Sequence, residues 1–137
     1  MIEIEKSVGF LLAKAYQRAC AIFKEEFEST DLTPQQFGLL AFLWIEDGLS
    51  QAELSLRSQI DRTTIGGIVD RLEKEGLVAR VNHPEDRRAF QVFLTARGKA
   101  LEDELCAVAN RVLVKVNAPL TKEEQSTLVR LLEKIRR

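Results

Sequence analysis

Residues 50–95 carry the pattern that most limits what this chain can become. Ser50-Gln51-Ala52-Glu53 opens a short helix. Asp61-Arg62-Thr63-Thr64 opens a second, which runs to Glu75-Gly76. A strand follows from Leu77 to Val81, then the tip Asn82-His83-Pro84-Glu85-Asp86-Arg87-Arg88, then a return strand from Phe90 to Leu94. Two short helices followed by an Arg-tipped hairpin are the parts of a winged helix-turn-helix, which can hold DNA in two grooves at once.

Helix limits are legible from caps. Apolar spacing of three and four predicts a first helix from Glu3 to Glu28, with Ile4, Val8, Leu11, Leu12, Ala15, Ala19, Ile22, Phe23 and Phe27 on one stripe. Thr33-Pro34-Gln35-Gln36 reads as a capping box with proline at the first helical position, and Asp47-Gly48 ends that helix. Ser50 to Glu53 is a second capping box. Thr95 caps a long fifth helix carrying Leu101, Leu105, Val108, Val112 and Val116, which Asn117-Ala118-Pro119 breaks. Thr121-Lys122-Glu123-Glu124 is a third box, opening a last helix with Leu128, Leu131, Leu132 and Ile135 on its face. The expected fold is mainly α with a small β-hairpin wing.

On a wheel of about 100° per residue, Ile65, Ile68, Val69 and Leu72 form the buried face of the fourth helix. Thr63, Gly67, Asp70 and Lys74 face outward, flanked by Thr64, Gly66 and Arg71. The N-terminus of such a helix reaches base edges, and its free N–H groups can meet a phosphate. An ordinary amphipathic surface helix would give the same wheel. The hairpin shifts the balance, because an exposed arginine on a thin ribbon suits a narrow minor groove. Asp86 would be repelled by phosphate and is assigned a structural role, holding an arginine or the turn itself. The candidate DNA contacts are Ser50, Gln51, Arg62, Thr63, Thr64, Gly66, Gly67, Arg71, His83, Arg87 and Arg88.

The formal net charge of −1 argues weakly against nucleic acid, but its distribution argues for it. Residues 1–56 sum to −5, residues 57–100 to +3 and residues 101–137 to +1. The positive excess falls on the two helices and the hairpin. No apolar run approaches the roughly 18 residues of a membrane span, and the amphipathic, acidic start is unlike a secretory signal. A cytoplasmic protein is expected. Two cysteines, Cys20 and Cys106, are too few for a zinc site, so no metal and no cofactor are expected. Without a glycine-rich phosphate loop, a ligand cluster or a nucleophile–base pair, an enzyme is not expected either.

Arg71-Leu72-Glu73-Lys74-Glu75-Gly76-Leu77-Val78-Ala79-Arg80, then Pro84-Glu85-Asp86-Arg87-Arg88, then Leu94-Thr95-Ala96-Arg97-Gly98, resembles the signature of the MarR family of bacterial transcription regulators. The order of six helices, with the wing between the fourth and fifth, fits over nearly the whole chain. The resemblance implies a single domain with a DNA-binding lobe at residues 30–98 and dimerisation helices at 1–29 and 99–137. It also implies a homodimer on a pseudo-palindromic operator, repression relieved by a small phenolic or carboxylic ligand, and Arg88 in the minor groove. Long apolar stripes at the chain ends independently favour an isologous dimer over helices folded back on their own domain.

The family places its effector between the dimer helices and the lobe. Phe10, Tyr16, Arg18, Phe37 and Trp44 are the candidates for a small anionic aromatic ligand, although aromatics at helical spacing more often serve as core. Some family members sense peroxide through a first-helix cysteine placed further ahead of the second helix than Cys20 is, so both thiols are expected to be buried and structural. The glycine pair Gly66-Gly67 departs from the family's usual polar or larger residues. It costs roughly 1 kcal/mol per glycine relative to alanine, which suggests either a close backbone approach to DNA or specificity resting elsewhere. A winged-helix module for protein–protein contact is the alternative; it would not need Arg87 and Arg88 to be basic.

Overall fold

The computed structural model describes residues 1–86 and 89–137; the predicted wing contacts Arg87 and Arg88 lie outside the described residues. The chain divides into two compact units, residues 30–106 and residues 1–29 with 107–137.

The first unit holds α2 (Pro34–Ile45), α3 (Gln51–Ser58), α4 (Arg62–Lys74), β1 (Val78–Asn82), β2 (Phe90–Leu94), α5 (Ala96–Ala100) and the start of α6 (Glu102–Asn117). The predicted box of α2 is present, with Thr33 Oγ1 accepting from Gln36 N at 3.2 Å and Gln36 Oε1 from Thr33 N at 2.9 Å. At α3 only half of the expected box forms: Ser50 Oγ accepts from Glu53 N at 3.0 Å. Gln59 closes α3 in a left-handed conformation (φ 58°), and Asp61 caps α4. The predicted inward face of α4 is buried at Ile65, Ile68, Val69 and Leu72. These residues share a core with Leu39, Leu40, Leu43, Leu49, Leu54, Val78 and Val92. Burying each contributes roughly 1.5–3 kcal/mol, which sustains helices too short to persist alone.

Gly76 stops α4 at φ 75°, a conformation that costs glycine little. The antiparallel hairpin pairs Val78 with Leu94 and Asn82 with Phe90, so the first strand begins one residue later than the sequence suggested. A third stretch of chain joins its other edge: Gly48 N donates to Val92 O at 3.0 Å and Val92 N to Leu49 O at 2.9 Å. Asp47 Oδ1 accepts from Leu94 N at 2.8 Å and Gly48 N at 3.1 Å, which fixes this junction.

The predicted single fifth helix is two. Thr95 caps α5, and Leu101 falls at the break before α6. Tertiary hydrogen bonds pull this turn onto the end of α4. Thr95 Oγ1 donates to Gly76 O at 2.6 Å, Thr95 N to Leu77 O at 3.0 Å, and Arg97 Nη1 to Glu75 O at 2.8 Å. Gly98 packs so closely that a Cβ would lie 2.1 Å from the Leu77 carbonyl oxygen. Seven α-helices therefore stand among the described residues, where six were expected.

The second unit holds α1 (Val8–Glu26), the rest of α6, and α7 (Lys122–Ile135). The expected helix from Glu3 to Glu28 is interrupted. Ile4–Lys6 is a 3-10 turn, Ser7 breaks it and caps α1, and a second 3-10 turn spans Glu28–Thr30. The stripe is also shorter in its burial than in its pattern: Ile22, Phe23 and Phe27 are buried, while Ile4, Val8, Leu11 and Leu12 are exposed. Phe23 and Phe27 stack at 3.9 Å between centroids. Glu26 meets Arg111 Nε at 3.3 Å and the Lys115 ammonium. The Lys115 hydrogen bond and then the Arg111 one hold the Glu26 carboxyl below the usual range, and Glu26 raises Lys115 in turn. The predicted box of α7 is present at Thr121 and Glu124.

Two outcomes follow from this packing. Gly98→Ala should lower stability by about 1–3 kcal/mol in urea unfolding, because backbone has to move to admit the methyl group. The stabilisation from Glu26 is present above the ordinary carboxylate range and is lost as pH falls through its lowered value. Lys115 contributes below the ordinary lysine range and loses its share as pH rises through its raised value. Glu26→Gln should therefore lower the melting temperature at neutral pH, with the gap to the parent closing in strong acid.

Candidate nucleic-acid interface

The N-termini of α3 and α4 and the hairpin enclose an open groove of about 700 Å³. Ser50, Gln51 and Ala52 form one wall, Arg62 stands at the α4 end, and His83, Glu85, Asp86, Ala89 and Phe90 line the wing side. Four of the candidate DNA contacts, Ser50, Gln51, Arg62 and His83, thus border one groove. Thr63, Gly67 and Arg71 are exposed along α4, with Thr64 and Gly66 half-buried beside them.

The α4 N-terminus is less free than its sequence suggests. Asp61 accepts from Thr64 N and from Thr64 Oγ1, both at 2.8 Å. These bonds, the backbone one first, hold the Asp61 carboxyl below its usual range. One of the helix's open N–H groups and the Thr64 hydroxyl proton are therefore already used within the protein. Arg62 and Thr63 keep outward positions on the first turn.

The wing is shaped by its own backbone. His83 N donates to Ala89 O at 2.9 Å, and Ala89 N to Asp86 O at 3.0 Å. His83 Nδ1 accepts from Glu85 N at 3.1 Å, so a neutral ring carries its proton on Nε2 as a donor.

Arg80, on β1, was not singled out in the sequence. Its side chain is only 18% exposed. Nη1 meets Asp70 Oδ1 at 2.6 Å and Glu73 Oε1 at 3.2 Å, Nη2 donates to Gly66 O at 3.0 Å, and Nε donates to Gln51 Oε1 at 2.6 Å. Glu73 Oε2 also accepts from the Arg80 backbone N at 3.1 Å. One guanidinium therefore ties α3, α4 and the wing strand together. The available signal was an arginine four residues after Gly76, which a chain pattern cannot distinguish from a phosphate contact. Gln51, expected simply as a DNA contact, already has its carbonyl engaged.

Gly66 and Gly67 leave the outward face of α4 low. A Cβ at Gly67 would meet nothing within 4 Å, and one at Gly66 would meet Gln51 Nε2 at 3.9 Å. Among the described residues, no clash requires glycine at either place.

The predicted effector residues are placed within their own units. Phe37 and Trp44 pack edge to face at 5.8 Å, and Trp44 Nε1 donates to Gly98 O at 3.0 Å, so the indole N–H is committed to the fold. Lys14 Nζ lies 5.3 Å from the Phe10 ring centre, and Tyr16 and Arg18 are exposed. A side-chain hydrogen bond with Cys20 is the chief cause that raises the Tyr16 phenol's pKa. Both cysteines, expected to be buried, are half-buried. Burial first, and then Glu102 and Asp103, push the Cys106 thiol up, away from the reactive thiolate. Among the described residues no group of His, Cys, Asp and Glu could hold a metal ion, and no helix is long and apolar enough to cross a membrane.

The profile of the MarR family matches residues 30–89. The HTH-type transcriptional repressor NicR of Pseudomonas putida is 38% identical over 133 residues, covering 97% of this chain and 84% of NicR. Among solved structures, BpsR of Bordetella bronchiseptica, whose DNA binding is regulated by 6-hydroxynicotinic acid, superposes with a TM-score of 0.93 at 32% identity, over 99% of this chain and 97% of that one. A mutant of Escherichia coli MarR complexed with operator DNA superposes with a TM-score of 0.89 at 25% identity, over 98% of this chain and 99% of that one. The chain belongs to the MarR family, whose members are winged-helix transcription regulators that bind DNA.

The open space over Gly67 yields a prediction. Gly67→Ala should stabilise the fold by up to about 1 kcal/mol in urea unfolding, yet weaken DNA binding, because the methyl group occupies room that DNA would use. Unchanged binding would remove close backbone approach as the reason for the glycine pair.

Proposed function

We propose that this protein is a homodimeric, operator-binding repressor that a small anionic aromatic ligand releases from DNA. The groove framed by the N-termini of α3 and α4 and by the wing carries the reading. It offers helix N-termini, Arg62 and the His83 ring to a polyanion on a single face. In this reading α4 enters the major groove with Arg62 and Thr63 foremost. Ser50 and His83 meet phosphates, which position without specifying. Asp86 shapes the wing turn, and Arg87 and Arg88 serve as the wing contacts, Arg88 in the minor groove.

The dimer rests on apolar surface that a lone chain leaves wet. Val8, Leu11, Leu113, Val114, Leu128, Val129 and Ile135 are all exposed, and α7 buries no residue at all. A two-fold pairing of these helices would cover them and set two α4 helices about 34 Å apart on successive major grooves. Regulation of the similar BpsR by 6-hydroxynicotinic acid supports an anionic heteroaromatic effector here. Tyr16 and Arg18, both exposed, together with Phe10, Phe37 and Trp44, are the residues proposed to meet it.

The test is binding to the DNA upstream of the protein's own coding region across a salt series. A dimer should bind one site there, with log affinity falling by roughly 0.9 per neutralised phosphate per log unit of salt. Arg62→Ala and Arg88→Ala should each weaken binding and flatten that slope, and 6-hydroxynicotinic acid or a related aromatic acid should release the DNA. A monomer in sedimentation at micromolar concentration, or binding indifferent to sequence and to both arginines, would overturn the proposal.

A further inference from the structure

A glutamine amide on a protein surface normally presents either end, because a half turn of its last torsion exchanges the carbonyl for the NH2 group. Gln51 has lost that choice. Its partner Arg80 Nε is a donor with no acceptor capacity, so the end facing it, at 2.6 Å, is the carbonyl. The exchanged rotamer would set an N–H against an N–H beside a cation. Arg80 is itself held on its other side by Asp70, Glu73 and the Gly66 carbonyl, so it cannot swing away to accommodate the exchange.

The Nε2 group is consequently turned towards α4. It lies over Gly66, 3.9 Å from where a Cβ would stand. Gln51 borders the groove at the first position of α3, and Gly66 flanks the outward face of α4. A glycine there leaves the far side of the amide open.

We propose that Arg80 is a positioning residue that makes Gln51 a specificity-determining contact of fixed polarity, offering N–H donors to the major groove. Such a group favours a base whose groove edge bears acceptors, guanine through O6 and N7 or thymine through O4, and disfavours cytosine, whose N4 is itself a donor. The inference rests on the operator-binding reading and adds which chemical edge is read and what sets it. Arg80 contributes through Gln51 and not by touching DNA: its side chain is only 18% exposed and is ion-paired to Asp70 and Glu73.

The experiment is competition binding against an operator in which each position carries each of the four base pairs in turn. The parent protein is compared with Gln51→Glu, Gln51→Met and Arg80→Lys, and thermal melting verifies that each is folded. At one symmetry-related pair of positions, the parent should prefer guanine or thymine over cytosine by about tenfold or more. Gln51→Glu keeps a partner for Arg80 but turns an acceptor outward, so its preference at that position should reverse towards cytosine. Gln51→Met should flatten the preference there, and Arg80→Lys should narrow it while other positions keep their ranking. A uniform loss across all operators in Gln51→Glu, with the base ranking intact, would overturn the inference and leave the operator reading standing. A parent protein with no preference among the sequences would overturn the operator reading as well.

Discussion

Arg80, on β1, carries one charge and meets groups from α3 and α4, and the arrangement of the groove between those helices and the hairpin follows from that geometry. A guanidinium is planar, with five donors in a fixed fork. At Arg80 the fork spans the α3 amide of Gln51, the α4 carbonyl of Gly66 and the α4 carboxylates of Asp70 and Glu73. The backbone of β1 is tied to Glu73 as well. Asp70 and Glu73 remain partly in water, so the Coulomb gain is screened and the main consequence is positional. One side chain thus joins α3, α4 and the first strand of the hairpin. A lysine, with a compact ammonium on a flexible stem, could not span the same partners.

A second junction fixes the opposite end of α4. Gly98 touches the Leu77 carbonyl, Thr95 bonds Gly76 and Leu77, and Arg97 bonds Glu75. Trp44 reaches across from α2 to the Gly98 carbonyl. The residues that look like a family signature in the chain are therefore hydrogen-bond partners in space. They stop α4, turn the hairpin back and launch α5. Asp47 clamps the returning strand from the other side through Leu94 N. The hairpin is fastened at its base by these contacts, whereas its tip is shaped by a few turn hydrogen bonds, so charged residues there can be presented without disturbing the core.

What the sequence disclosed follows from what is local. Thr33, Ser50, Asp61, Thr95 and Thr121 all cap helices as read, because a cap depends on three or four consecutive residues. The inward face of α4 was equally legible from its period. The breaks at Ser7 and Leu101 were not, because apolar spacing continues through both while the backbone does not. Leu101 yields to the Gly98–Leu77 contact, which no local pattern reveals. Arg80 escaped for the same reason: its partners at Gln51, Gly66, Asp70 and Glu73 lie between 7 and 29 residues away. The apolar stripe of α1 overstated the core, since hydrophobic period reports which residues seek cover and not whether one chain supplies it.

The same pairing corrects the electrostatic reading of a chain whose formal charge is −1. Counting charges treats every carboxylate as equal to every ammonium or guanidinium. Four acids of the lobe are held by donors within it. Asp47 accepts two backbone N–H groups, Asp61 caps α4 and binds the Thr64 hydroxyl, and Asp70 and Glu73 face Arg80. Arg62, Arg71 and Lys74 stand exposed on the outer surface of α4. Each of these carboxylates is matched to donors within the lobe, while Arg62, Arg71 and Lys74 stay exposed along α4 in a segment whose charges sum to +3. An acidic protein can in this way present a basic face to a polyanion, with residues 1–56 carrying most of the compensating negative charge.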